Sequence, residues 1–293
     1  MPDLSGSALR DAEPGYRTMS AMQLKRFPLV TAVLVAISLA SAEAQAVSLI
    51  VERPAVLTCE TATTGGLSYR NDTTNTPDEV RVIGVSAQGR PITAEHWGPQ
   101  QGPQILVIGQ IHGDECAPAF LVRELRQNPV TSKGVWLIPT LNPDAMTMFS
   151  RLDSQERDLN RDGYRARAPE TRALLDFTLS VKPALTLHVH SPYGWVGQYN
   201  GGAAQRLAAA IARGAKWGSV KYAGGNLTDG QAFLWEGQNR VLPKHQSVLV
   251  EFPAVSRFEA LGAPKRSSVR YASVTEVSRV AKVIRNSIQR LKL

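Results

Sequence analysis

Short apolar runs and helix-spaced apolar positions alternate along most of this chain. The first pair of runs, "VRVIGVSAQGRPITAEHWG", alternates apolar and polar residues about Gln88-Gly89, which predicts two strands joined by a tight turn. Strands are then predicted at "QILVIG" (104–109), "GVWLIPT" (134–140), "ALTLHVH" (184–190) and "QSVLVEFP" (246–253). Helices are predicted between them at "PAFLVRELRQN" (118–128), "PETRALLDFTLSV" (169–181) and "AAQRLAAAIARGA" (203–215), two of them with proline in the first turn. Val277, Val280, Ile284, Ile288 and Leu291 recur at helical spacing near the end. Continuous apolar strands separated by helices imply a sheet buried on both faces. The fold class expected is therefore α/β, one domain with a central mixed, largely parallel twisted sheet flanked by helices.

The front of the chain follows another pattern. Lys25 and Arg26 precede "FPLVTAVLVAISLA", and the small-residue stretch "SAEAQA" follows. A short basic region, an apolar run of about a dozen residues and Ala-x-Ala sites after Ala42 or Ala46 describe an export signal. The run is short for a membrane span. The division expected is an upstream extension at 1–21, a signal peptide at 22–46, an irregular leading segment at 47–79 and the catalytic-size domain at 80–293. The mature protein is then periplasmic or secreted, with no stable membrane span.

Charge and cysteines add little. The 33 Lys and Arg against 25 Asp and Glu give +8, which suits anionic surroundings without naming a partner. No basic stripe with interleaved aromatics is present, so nucleic acid is not an expected partner. Cys59 and Cys116 are the only cysteines, and in an oxidising compartment they could form one bridge. A zinc role for Cys116 is weaker, because adjacent residues rarely supply two ligands.

The chemistry gathers at strand ends, where open α/β sheets place their sites. His112 and Glu115 follow the 104–109 run, Asn142 and Asp144 the 134–140 run, His190 ends the 184–190 run and Glu251 lies in the last. A hydrolytic zinc takes about three His or carboxylate ligands and leaves one position open. His112 and Glu115 could supply two. His188 and His190, two apart on a strand, face the same way, and either could be the third. A glutamate within "VLVE" is costly to bury without a task.

These motifs together resemble the carboxypeptidase A-type zinc metallopeptidases. "IHGDE" resembles that family's first metal motif, "LNPDA" its Asn-Pro-Asp-Gly turn with Ala145 replacing glycine, and "RDLNRD" its substrate-binding stretch. "HSP" resembles the third-ligand region and "VLVEFP" the strand of the catalytic glutamate, so the likeness spans roughly residues 80–260. "HSPYG" points to the bacterial murein peptide amidase A-like branch, whose members cleave next to diaminopimelate in wall peptides. The resemblance implies one zinc ion held by His112, Glu115 and His190, chosen over His188 because Lys182-Pro183-Ala184-Leu185 sets the register. It implies Asp158 as the partner of the first histidine, Asn160 and Arg161 as the grip on a substrate carboxylate, Arg151 as the group polarising the scissile carbonyl, and Glu251 as general base. The function implied is exported hydrolysis of an amide in a small peptide or muropeptide. Alternatives are a general periplasmic metallocarboxypeptidase, an N-acyl amino acid amidohydrolase, or a non-catalytic peptidoglycan-binding relative. Departures bear on substrate more than on metal: Asp162-Gly163 replaces Asn-Phe, and Asp153 adds a negative charge near the carboxylate grip. No match for the family's mobile tyrosine stands out, and Tyr193, Tyr222 and Trp235 are candidates to line the pocket.

Overall fold

The computed structural model describes residues 75–217, 220–222, 231–255 and 265–293. The expected export signal, the leading segment up to residue 74 and Cys59 lie outside these residues. Strands β1 (Glu79–Val85) and β2 (Pro91–Trp97) form the hairpin the alternation predicts. Then follow β3 (Gln104–Ile108), α1 (Pro118–Gln127), β4 (Gly134–Ile138), α2 (Pro143–Met148) and a 3₁₀ turn at Leu159–Arg161. The chain continues through α3 (Pro169–Val181), β5 (Leu185–His190), β6 (Tyr193–Tyr199), α4 (Gly202–Ala215), β7 (Val220–Tyr222), α5 (Leu234–Val241), β8 (Ser247–Pro253) and α6 (Val274–Arg290).

Among the described residues the strands form one eight-stranded sheet in the order β1-β2-β4-β3-β5-β8-β6-β7. The centre, β4-β3-β5-β8, is parallel, and β2 and β6 flank it antiparallel. Every residue of β3, β4, β5 and β8 is buried, as expected of parallel strands covered on both faces. Alternation sorts their side chains. Ile105, Val107, Leu185, Leu187, Val248 and Val250 pack with α1, α4 and α6 in the larger core. Leu106, Ile108, Trp136 and Ile138 pack with Ala173, Leu174 and Phe177 of α3 on the other face. Helix α6 begins where the Ser273 side chain accepts from the Glu276 N–H at 3.1 Å, and it buries Val277, Val280, Ala281, Ile284 and Ile288 along one stripe.

The second face changes character across the sheet. On β5 it presents Thr186, His188 and His190, and on β8 Ser247 and Glu251, all buried. Helix α5 lies over this polar half, with Gln238 reaching His188 and Trp235 packed on Leu249. No helix among the described residues is long and apolar enough to cross a membrane.

Candidate metal and catalytic site

The site is built on the carboxyl ends of β3, β5 and β8. After β3 the chain turns sharply at Gln110, whose φ is 39°. The buried Gln110 amide then ties the turn by donating to the Glu115 carbonyl at 2.9 Å. The elbow is clamped from the α2 side as well. Gly113 N–H donates to Ser150 O at 2.8 Å, and Asn142 Nδ2 donates to Ile111 O at 3.3 Å. Gly113 must be glycine, because a Cβ there would lie 2.0 Å from the Ala145 carbonyl carbon. Pro118 opens α1 three residues after Glu115, so the carboxylate sits on a short rigid connection.

His112, Glu115 and His190 are brought together. One ligand atom from each lies within 4.8 Å of the others, and all three residues are buried. Glu115 sits between the histidines: His112 Nδ1 is 2.6 Å from Oε1, and His190 Nδ1 is 2.9 Å from Oε2. The Ser191 N–H also points at Oε2, at 3.3 Å. His188 does not join them. It faces the same way but one pleat deeper, its Nε2 2.8 Å from Gln238 Oε1, and Gln238 donates in turn to Thr178 Oγ1 at 2.8 Å. Burial, with His190 close by, drops its pKa to about 3, so it is a neutral core histidine.

Asp158 stands on the far side of His112, Oδ1 3.0 Å from Nε2. With a cation between the donors, this contact would keep the ring proton on Nε2 and leave Nδ1 for the cation. Burial works against charge on these groups, but mutual attraction outweighs it. Glu115 and Asp158 are held well below the usual carboxylate range by the histidines, and His112 is pushed up to about 9 by Glu115 and Asp158. An ensemble of two imidazoles and one carboxylate, poised for a cation, fits zinc in donor chemistry and number. The fit is strengthened by an orphan: Glu251 Oε2 is buried and has no hydrogen-bond partner among the described residues. Burial, with Glu115 nearby, raises the Glu251 pKa well above its usual value.

Arg151 reaches the same centre. Its Nε and Nη2 donate to Asp158 Oδ2 at 3.1 and 3.0 Å, and Nη1 lies 3.4 Å from Glu115 Oε1. Asn160 and Arg161 follow in the 3₁₀ turn, which begins where Asp158 Oδ1 accepts from Asn160 N–H at 2.9 Å. The Asn160 amide is already engaged, its Nδ2 3.4 Å from His190 Nε2 and its Oδ1 accepting from Leu234 N–H at 3.3 Å. The Arg161 guanidinium lies 4.9 Å over the Phe233 ring, which stacks on Trp235 at 4.1 Å. The donors, these three residues and Glu251 line one cavity of about 520 Å³, walled by Tyr193, Trp195, Phe233 and Trp235. Tyr193 and Trp235 therefore do line the pocket; the Tyr222 side chain lies outside what is described.

Two expectations change, and the weaker reading of Cys116 falls. Asn142 and Asp144, placed at a strand end with the metal-type residues, are structural. Asn142 caps α2 by accepting from Ala145 N–H, and Asp144 ties the β1–β2 turn through Ser86 Oγ at 2.7 Å, Gln88 N–H at 2.9 Å and Arg90 Nη1 at 2.6 Å. Asp153 adds no free charge beside the grip, because Arg157 Nε donates to it at 2.7 Å. Cys116 is disulfide-bonded and so is no ligand. Conversely, Gln110 and Gln238 position the site and went unread, since a lone glutamine carries no spacing signal. The Asp162-Gly163 departure has a local reason: a Cβ at Gly163 would lie 2.0 Å from the Phe233 carbonyl oxygen, so glycine lets the α5 approach close over Arg161.

Comparison with known proteins agrees with this geometry. Residues 101–183 match the family described as succinylglutamate desuccinylase/aspartoacylase catalytic domain. No curated protein matches the chain. Among solved structures, the murein-tripeptide amidase MpaA from Escherichia coli O157 superposes with a TM-score of 0.54 at 20% identity, over 74% of this chain and 95% of that one. A metallo-carboxypeptidase from Burkholderia cenocepacia gives 0.53 at 16% identity, over 74% of this chain and 65% of that one. A metallo-carboxypeptidase from Pseudomonas aeruginosa, in complex with (2-guanidinoethylmercapto)succinic acid, gives 0.51 at 18%, over 73% and 64%. The chain thus spans just under two thirds of the two carboxypeptidases. Its fold is therefore that of these amidase and carboxypeptidase structures. The superposition takes in nearly the whole of the murein-tripeptide amidase chain, 95% of it.

Proposed function

We propose that this chain is a zinc-dependent hydrolase of amide bonds, exported, acting on wall peptides at a bond next to diaminopimelate. The observation that carries the reading is the buried His112–Glu115–His190 set sharing one cavity with Glu251, one of whose carboxylate oxygens has no hydrogen-bond partner among the described residues. His112, Glu115 and His190 would hold a zinc ion, which would supply Lewis acidity at the cavity. Glu251 takes a proton from the attacking water and passes it to the departing amine, a task suited to a carboxylate whose proton affinity burial has raised. Arg151 Nη1 meets the negative charge that develops on the carbonyl oxygen. Arg161, steadied on Phe233, grips the carboxylate of the leaving residue, and the planar guanidinium fits that group in two-point fashion. Asn160 holds the neighbouring backbone in place.

The cavity supports a substrate with more than one carboxylate. Arg151, Arg161 and Lys265 line it, whereas among the described residues its only acidic side chains are Glu115 and Glu251, both committed to chemistry. Diaminopimelate carries two carboxylates. The match to the succinylglutamate desuccinylase/aspartoacylase domain favours a second reading on the same grounds, an N-acyl amino acid amidohydrolase acting on an acidic amino acid. Incubation with muropeptides, blocked dipeptides and N-acylated acidic amino acids, followed by mass spectrometry, separates the two. Release of a diaminopimelate-containing fragment by wild type and not by Glu251→Gln supports the first reading. Turnover confined to N-acyl acidic amino acids replaces it with the second.

A further inference from the structure

The largest positive concentration lies on the opposite helical layer, away from the cavity just described. Residues 202–216 and 274–292, the α4 and α6 segments, carry eight Lys and Arg and a single carboxylate, Glu276, in a chain whose net charge is +8. That carboxylate is taken, since Arg270 Nη2 lies 2.6 Å from it. Nearly all of the chain's excess charge therefore sits on one helix pair. Between the two helices runs an open cleft of about 800 Å³, floored by Leu207 and Leu291 and edged by Arg206, Arg213, Arg290 and Lys292. Among the described residues no carboxylate and no aromatic ring lines it, and none of the four cations is in an ion pair. Arg206 Nη2 donates to the Lys292 carbonyl at 2.8 Å, which holds the chain end against α4 and keeps the cleft's shape. Arg206 and Arg213 stand two turns apart on α4, about 10 Å along the axis.

We infer that this cleft binds a linear polymer bearing repeated carboxylates and so holds the enzyme on its substrate matrix. The choice of polymer rests on the wall-peptide reading above; the anionic character of the ligand does not. A second copy of this chain is disfavoured because it would bring like charges together. A membrane surface is flat, whereas the site is a groove whose apolar floor is recessed. The cleft offers no ring on which a nucleic-acid base could stack. Contacts of this kind steer and tether through charge and weaken with salt.

The test is a fluorescence-anisotropy titration of labelled poly-L-glutamate with the full chain at about 50 and 200 mM salt, where screening differs appreciably. Wild type should bind and weaken on the order of tenfold or more with salt. The triple variant Arg206→Ser, Arg213→Ser, Arg290→Ser should lose on the order of tenfold or more at low salt, as lost charge contacts predict. A comparator of equal charge loss elsewhere, Arg172→Ser, Lys182→Asn, Lys244→Asn, should bind as wild type does. Single variants Arg213→Ser and Arg290→Ser, each with an unchanged melting temperature, keep the comparison valid if the triple variant folds poorly. Turnover of a small blocked peptide should be unchanged in all of them, while KM on polymeric substrate rises for the groove variants alone. Equal loss in comparator and groove variants overturns the inference. So does binding to polyphosphate or to vesicles of about 30% anionic lipid without binding to polyglutamate. If no peptide is turned over by wild type, the catalytic reading fails and the groove measurement still stands alone.

Discussion

Asp158 links the metal-donor side of the site to the substrate-gripping side. It accepts from His112 on one oxygen and from Arg151 on the other, and its first oxygen also caps the 3₁₀ turn that sets Asn160 and Arg161. Asp158→Asn keeps the shape and removes the charge, so zinc affinity should fall about 10- to 100-fold, as measured by competition with a chelating dye. Glu251 gives the complementary result. One of its oxygens has no partner among the described residues, and glutamine keeps an oxygen to accept from the Tyr193 backbone, so Glu251→Gln should retain metal and melting temperature while kcat falls roughly 10²- to 10⁴-fold. If Glu251→Gln keeps its turnover, the general base lies elsewhere.

At the scale of elements, the elbow after β3 and the deeper layer under β5 decide whether the donors meet. Gly113→Ala would drive a Cβ into the α2 backbone, so the variant should lose about 1–3 kcal/mol of stability in urea denaturation and bind zinc more weakly. The four parallel strands, α1, α3, α4 and α6 were legible because period and apolar continuity are local properties. Strand β6 was not, because "YGWVGQY" is only partly buried and carries two glycines, which depress strand signals. Helix α5 was missed as well: "LWEGQNRV" is short, contains Gly237, and owes its place to Gly163, which lets the two backbones touch. The site shows the same divide. Residue type and strand-end position marked His112, Glu115, His190 and Glu251. The family resemblance was needed to pick out Asp158, Arg151, Asn160 and Arg161, since an Arg-rich loop has no period of its own. Gln110 and Gln238 needed coordinates, as did the demotion of Asp144 and Asp153 to turn-binding residues.

For the whole molecule, the polar half of the second face has a cost that depends on pH. His245 is buried against Thr186, its Nε2 2.9 Å from Oγ1, and burial drops its pKa from 6.5 to about 4. A folded-state value below the unfolded one means that the unfolded chain takes up the proton first. Stability is then full above pH 6.5 and lost as pH falls toward about 4, by up to about 3 kcal/mol for this group. Urea denaturation at pH 7.5 and pH 5 should show the loss, and His245→Gln should shrink it to the part that buried His188 contributes. An unchanged slope in the variant would place the acid sensitivity elsewhere. The cavity and the basic cleft lie on opposite layers of the sheet, so charge changes in the cleft should leave zinc content untouched.

The central claim is that His112, Glu115 and His190, and not His188, hold one metal ion. Metal content by plasma mass spectrometry on the purified, folded chain tests it most directly. About one zinc per chain is expected for wild type and for His188→Gln. Far less than one is expected for His190→Gln at an unchanged fold by circular dichroism. A folded wild type without stoichiometric metal, or a His190→Gln variant that keeps it while His188→Gln loses it, would contradict the account.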